Sequence, residues 1–341
     1  MEYERSCAKD RNPYWSSAKW YQNADGADPD CDYIWDTKYH LGEWYEADFD
    51  IDTMREFLAD QHVKGSPWLA TGFFGYSAKL LSRMAGVLGY EEDRRTYEAL
   101  AERIKAAYNN VFVEADGSVC GKRHAESIRA LAFGLVREDM EQTVADRLNR
   151  MLIENGYHFN SGFLSTGFLI PVLCKYGYAD TAFQILGQRE MPSWFYEIDC
   201  GATTVWEIWT GIDEKGEREG SQCHYSPAAV ADSLFSVLAG IRPMEEAPGY
   251  KKILIEPVTG GGLARVEASM DSPYGMIRSG WERKGKVVTY SVTVPANAEA
   301  KFVLPYSYEI YGRILKQYPD AERSGREIRI SLFSGQHQIV V

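Results

Sequence analysis

The period of the apolar pattern changes once along this chain, near residue 250, and that change restricts the fold to a helical region followed by a β region. Before it, apolar residues recur three to four apart: Leu69, Phe73, Tyr76, Leu80, Met84 and Leu88, then Tyr97, Leu100, Ile104 and Tyr108. Ser66 can cap, Pro67 suits the first helical position and Gly89 supplies a stop, so the spacing predicts a helix over 66–89. Further amphipathic stretches run over 128–135, 144–152, 168–176, 182–186 and 230–238. Short connections such as Asn155-Gly156 favour antiparallel helical hairpins.

Beyond residue 250 the repeat becomes two. Val288, Tyr290, Val292 and Val294 fall on one face, and Thr289, Ser291 and Thr293 on the other. Segments 252–255, 276–281, 301–304, 327–332 and 338–341 read as further strands, separated by turn signals such as Ser272-Pro273-Tyr274-Gly275. The expectation is a mainly α protein with a β-domain: helices over 1–245, and an antiparallel β-sandwich over 246–341. Gly260-Gly261-Gly262 reads as a turn between strands, not as a phosphate loop.

Composition excludes several function classes. A net charge of −12, with no basic stripe, argues against nucleic acid. No run approaches the roughly 18 apolar residues of a membrane helix. The six cysteines are scattered without metal-ligand spacing, so they read as free thiols, and no metal or cofactor is expected. The polar start, Met1 to Cys7, lacks the apolar core of a secretory signal, which predicts a cytoplasmic chain.

The chemistry concentrates in loops of the helical half that carry tryptophan and carboxylate together. Residues 35–48 hold Asp36, Glu43, Glu46 and Asp48 among Trp35, Tyr39, Trp44 and Tyr45, with no helical or strand period. Aromatic faces suit the C–H patches of a sugar ring and carboxylates accept its hydroxyl hydrogen bonds, so the mixture fits a monosaccharide pocket. The opposing interpretation is that the aromatics plug the end of a helical bundle while the acids are solvated.

A second stretch runs from Pro192-Ser193-Trp194 through Gly201-Ala202-Thr203-Thr204-Val205-Trp206-Glu207-Ile208-Trp209, and a third is Ser221-Gln222-Cys223-His224-Tyr225. Glycosidic cleavage needs one carboxylic acid and one carboxylate. Glu207 lies between two tryptophans that could dehydrate it and is a candidate for that pair; Trp206 beside it is a candidate sugar platform. Thr204 and Glu207 also match the cap-plus-three spacing of a helix entry. His224 could orient a substrate hydroxyl or satisfy a buried carbonyl.

Taken in order, His40-Leu41-Gly42-Glu43-Trp44, the helix around Ala70 to Ala78, Leu131 to Val136, His158 to Phe163, Pro192-Ser193-Trp194 with Gly201 to Trp209, His224-Tyr225, Ala239 to Pro243 and Asp271 to Gly275 resemble the catalytic domain of glycoside hydrolase family 78, the α-L-rhamnosidases. The resemblance spans about 240 residues. It implies an (α/α)6 six-hairpin barrel followed by a β-sandwich, and an inverting, metal-independent hydrolysis of terminal α-L-rhamnose from glycosides or polysaccharides. It also implies Glu207 as general base, and Glu43, Trp44, Trp194 and His224 as rhamnose-binding residues.

Two features depart from the family pattern. Its general acid lies in a motif resembling Asp-Glu-Arg-x-x-Trp-x-x-Asp that precedes the Gly-Glu-Trp loop; residues 1–41 hold Asp10, Asp25, Asp28, Asp30, Asp32 and Asp36 without that arrangement. With eight or nine helical segments where a closed barrel needs twelve, the barrel is expected to be incomplete on its N-terminal side and inactive alone. Exposed helix faces then predict self-association or a complementing N-terminal segment. The second departure is His124-Ala125-Glu126, where the family carries a Thr-Gln pair. The alternatives are another inverting barrel glycosidase and a non-catalytic sugar-binding fragment.

Overall fold

A computed structural model describes residues 31–36, 40–48, 65–121, 123–212 and 216–341, together with 53, 56 and 59. The N-terminal acids Asp10, Asp25, Asp28 and Asp30, and Cys7, lie outside the described residues. The chain divides into two compact units, Met1–Tyr176 with Ile185–Ala228, and Gly177–Gln184 with Ala229–Val341.

The first unit is built from helices α1 (Pro67–Leu88), α2 (Glu91–Phe112), α3 (His124–Phe133), α4 (Glu138–Glu154) and α5 (Phe163–Lys175), followed in the chain by α6 (Ala179–Leu186), most of which falls in the second unit, and by the short α7 (Trp194–Asp199) and α8 (Tyr225–Ala228) of the first. Helix α1 packs along α2, and α3 packs on α4 and α5. Ser66 stands at the N-cap of α1 without a side-chain cap bond; its backbone N–H instead donates to His40 Nδ1 at 2.6 Å. The stripe that α1 buries also differs from the expected one. Gly72, Gly75, Ala78, Ser82 and Ala85 face the core, whereas Met84 is 57% and Leu88 68% exposed. Small residues let α2 approach closely: a Cβ on Gly75 would stand 3.1 Å from Ile104. Large apolar residues at helical spacing thus located the helix but not its inner face.

Besides Gly177–Gln184, the second unit holds α9 (Val230–Ser233), a π-helical turn (Leu234–Leu238) and nine strands: β1 (Ile241–Pro243), β2 (Lys252–Ile255), β3 (Arg265–Ser272), β4 (Gly275–Lys284), β5 (Val287–Val294), β6 (Glu299–Pro305), β7 (Glu322–Ser324), β8 (Glu327–Leu332) and β9 (Gly335–Val340), with α10 (Tyr308–Gln317) between β6 and β7. One sheet runs β1-β2-β6-β8-β7 and the other β3-β4-β5-β9. Residue 288 pairs with 283 and 290 with 281, so the alternation around Tyr290 faces Trp281, Ile277 and Phe302 in a shared core. Trp281 is buried, and its indole N–H donates to the Leu238 carbonyl at 3.0 Å.

The expected antiparallel arrangement has one exception: β2 and β6 pair in parallel, Ile253 opposite Ala300. The chain leaves the first sheet after β2, builds β3, β4 and β5 in the other sheet, and returns beside β2 in the same direction. A tight hairpin cannot make that crossover. The triple glycine forms the expected turn, and the Gly261 N–H donates to Asp180 Oδ1 at 3.0 Å. Cys120, Cys174, Cys200 and Cys223 are free. Among the described residues no helix is long and apolar enough to cross a membrane.

Candidate active site

Four segments of the first unit converge: the loop 40–48, the start of α5, residues 204–210, and residues 219–225. The loop turns sharply, because Trp44 and Tyr45 both occupy left-handed backbone (φ 55° and 44°), a conformation that non-glycine residues adopt at a cost. It is pinned to the entry of α5, where the Phe163 N–H donates to the Trp44 carbonyl at 3.0 Å and the Ala47 N–H to the Ser161 carbonyl at 3.3 Å. A side chain at Gly162 would run into the Glu43 and Trp44 carbonyls, so this close approach requires glycine.

Of the four acids of residues 35–48, Asp36, Glu43 and Glu46 are buried, whereas the Asp48 side chain is 46% exposed. Glu43, 0% exposed, is ion-paired with Arg129 of α3 and accepts from Ser165 Oγ at 2.8 Å. It therefore lies behind the loop, away from solvent. Glu46 and Asp48 both pair with Arg123, which also donates to the Asn160 carbonyl at 2.8 Å. Partial burial raises the pKa of Asp48.

Glu207 does not begin a helix; residues 200–211 are irregular. The capping arrangement does not form, and Thr204 Oγ1 donates instead to the Gln222 carbonyl. Residues 205–207 lie alongside 221–224: the His224 N–H donates to the Val205 carbonyl and the Glu207 N–H to the Ser221 carbonyl, both at 2.9 Å. The Ser221 N–H returns a bond to Glu207 Oε2 at 2.8 Å, which fixes the carboxylate. Its other oxygen stands 3.9 Å from His224 Nε2. Because His224 Nδ1 accepts from the Ser226 N–H at 3.3 Å, the neutral ring carries its proton on Nε2, facing Glu207.

The flanking tryptophans do not bury this carboxylate, which stays 23% exposed. It forms one wall of a cavity of about 150 Å3, with Tyr45, Glu46, Asp48, Met191 and Trp209 around it. A line of rings leads there from Trp44: Tyr45 contacts Trp44 edge-on and stacks on Phe163 at 5.6 Å, and Phe163 meets His224 at 4.6 Å. His224 and Glu207 are thus brought together, and Trp44 is linked to them through Tyr45 and Phe163. Trp194 and Trp206 take a different place. Trp194 is buried between Phe159 and Trp209, with its indole N–H donating to the Pro227 carbonyl at 3.0 Å. The buried Trp206 ring lies against Gly211, where any side chain would collide with it.

Sequence reasoning did not single out Arg123, and met Glu126 only within the His124-Ala125-Glu126 departure from the family pattern. His124 and Asn160 exchange two bonds, His124 N–H to Asn160 Oδ1 at 2.9 Å and Asn160 N–H to His124 Nδ1 at 3.1 Å, which tie α3 to the entry of α5. Burial, aided by the Arg123 charge, holds His124 down to about 4. Burial pushes Glu126 up to about 7. The signs differ. The neutral Glu126 stabilises the fold fully below the unfolded carboxyl value of about 4.3, and this is lost as pH rises through 7. The His124 contribution is present above about 6.5 and is lost as pH falls towards 4. Over pH 5 to 6.5 the two contributions oppose one another, so that of Glu126 is read from the stability difference between wild type and Glu126→Gln, which is expected to shift against the wild type by on the order of 2 kcal/mol between pH 5 and 8. Thermal melts of both proteins across this range measure it, and a difference that does not change with pH would refute the assignment.

Comparison with known proteins follows the same division. Residues 9–238 match the family model described as the bacterial alpha-L-rhamnosidase 6 hairpin glycosidase domain, and residues 240–315 the bacterial alpha-L-rhamnosidase C-terminal domain. An alpha-L-rhamnosidase of Streptomyces avermitilis is 33% identical over 241 residues, 70% of this chain and 23% of that protein. One from Formosa agariphila is 34% identical over 244 residues, 70% of this chain and 26% of that protein. The crystal structure of the Streptomyces avermitilis alpha-L-rhamnosidase complexed with L-rhamnose superposes with a TM-score of 0.75 at 27% identity, covering 94% of this chain and 30% of that one. The chain spans about a quarter of the length of the curated relatives it matches. With most of its length matched by the two domain models in the order in which the helical and β regions occur, the chain belongs to the bacterial α-L-rhamnosidase six-hairpin glycosidase family.

Proposed function

We propose that this chain carries the base half of an inverting α-L-rhamnosidase site, with Glu207 activating the water that attacks the anomeric carbon of a terminal α-L-rhamnose. The observation that carries this reading is the Glu207 carboxylate. One oxygen is fixed by the Ser221 N–H and the other is held beside His224, at the wall of a cavity that admits solvent. A base needs such a fixed, hydrated carboxylate, and inversion needs room for water between two carboxyl groups. Trp44 and His224 would meet the sugar. The buried Glu43, Trp194 and Trp206 would support it from beneath, Glu43 through Arg129 and the two tryptophans through the packing around Trp209. Leu81, Met84 and Leu88, exposed on α1, support self-association or covering by a complementing segment.

Leaving-group dependence tests the proposal. A 2,4-dinitrophenyl α-L-rhamnoside departs without a proton, so the chain is expected to hydrolyse it. A methyl α-L-rhamnoside needs acid assistance worth about 10²- to 10⁴-fold and should be slower by at least that factor. Faster hydrolysis of another sugar in a panel of aryl glycosides would favour a different inverting barrel glycosidase. Calorimetric binding of L-rhamnose without hydrolysis of the dinitrophenyl compound would favour a binding fragment, and neither binding nor hydrolysis would overturn the assignment.

A further inference from the structure

In an extended segment successive N–H groups point to opposite sides. At 205–207 one side is taken by residues 221–224, which receive the Glu207 N–H. The Trp206 N–H points the other way, in a buried position where an unpaired donor would be costly. It donates to Glu197 Oε2 at 3.1 Å. Glu197 is only 2% exposed, and its Oε1 has no hydrogen-bond partner among the described residues. Helix α7, which carries it, is anchored by Ser193, whose Oγ accepts from the Tyr196 N–H at 3.0 Å, and the Ala202 N–H donates to the Glu197 carbonyl at 2.9 Å. A carboxyl group is an expensive way to accept one N–H inside a protein, since a backbone carbonyl or an amide would do.

We propose that Glu197 is a positioning residue: its carboxyl holds the Trp206 amide from beneath and so fixes the direction in which the next residue, Glu207, presents its carboxylate to the cavity. This rests on Glu207 being the base. Burial supports it by pushing the Glu197 carboxyl up to about 7, opposed only by the Trp206 N–H, so that the neutral acid keeps a carbonyl oxygen for that donor. Glutamine has the same acceptor; leucine has the shape without it.

The test uses the full chain with a 2,4-dinitrophenyl α-L-rhamnoside and with L-rhamnose. Glu197→Leu is expected to lower kcat at least 10-fold while KM and the Kd for L-rhamnose stay within about 3-fold. Glu197→Gln should recover at least a third of the wild-type kcat. A folded Glu197→Leu protein with kcat within 2-fold of wild type, or equal losses in both variants, would overturn the proposal. If the wild-type chain neither binds L-rhamnose nor hydrolyses the substrate, the functional reading fails, and the positioning is read from the amide itself. Labelling with 15N-tryptophan gives nine backbone signals for the nine tryptophans, with Trp206 assigned through Trp206→Phe. Its amide should shift in Glu197→Leu and stay near its wild-type position in Glu197→Gln; an unmoved signal in Glu197→Leu refutes the contact.

Discussion

Glu207→Gln is expected to lower kcat on an activated aryl α-L-rhamnoside by about 10²- to 10⁴-fold, the contribution of a positioned base, while the Kd for L-rhamnose changes by less than about 3-fold. Two features of the site separate catalysis from binding in this way. The Ser221 N–H binds Glu207 Oε2 at 2.8 Å, and an amide oxygen accepts that bond equally well, so residues 204–224 keep their arrangement. What disappears is the group able to take a proton from water. Because the dinitrophenolate needs no acid, the loss reports on the base alone. Steady-state kinetics and calorimetry on the same preparation measure the two quantities. Turnover within 3-fold of wild type would remove Glu207 from the mechanism.

The sequence showed the site unevenly. Local spacing made Thr204 and Glu207 look like a helix cap; the structure pairs 205–207 with 221–224, across a separation that no periodicity reports. Its place between two tryptophans made Glu207 a candidate, but only the family resemblance implied its role as base, because that information lies in the order of several motifs and not in one of them. The period change announced helices followed by strands, although β1 already begins at Ile241 and the second unit at Ala229, and the strands around Tyr290 appear where the alternation placed them. It overlooked β3, whose inward Val266, Ala268 and Met270 alternate with charged and polar residues too weakly to stand out. It also overlooked α10, a ten-residue helix between strands, although Ser307 caps it by accepting from the Ile310 N–H at 3.1 Å. Helix α1 was legible in extent but not in orientation, since close helix packing favours the small residues that hydrophobicity undervalues. The acids of the loop 40–48 were visible as composition, yet nothing in the chain tells which arginine, some 80 residues later, meets each of them.

Arg129→Met is expected to destabilise the first unit by about 3–5 kcal/mol, the cost of leaving one member of a buried ion pair uncompensated. Arg129 is buried in α3 and holds Glu43. One of its amino groups donates to Ser165 Oγ at 2.6 Å, and the guanidinium lies 4.9 Å from the centre of the Trp68 ring. Methionine preserves much of the length and packs against the same aromatic face, so lost volume contributes little. Glu43 would remain, fully buried, with Ser165 as its partner and no opposite charge. The double variant Glu43→Leu with Arg129→Met separates the pair from its surroundings. Replacing a buried ion pair by apolar residues of similar size is often neutral or stabilising, so this protein should unfold within about 1 kcal/mol of wild type. Urea denaturation of the two single variants and the double one closes the cycle, with a coupling of at least about 2 kcal/mol expected. Additive losses would mean that the arginine and the glutamate act independently. Coupled losses would mean that the Gly-Glu-Trp loop is held in place from behind by α3, which is how Tyr45, Glu46 and Asp48 come to line the same cavity as Glu207.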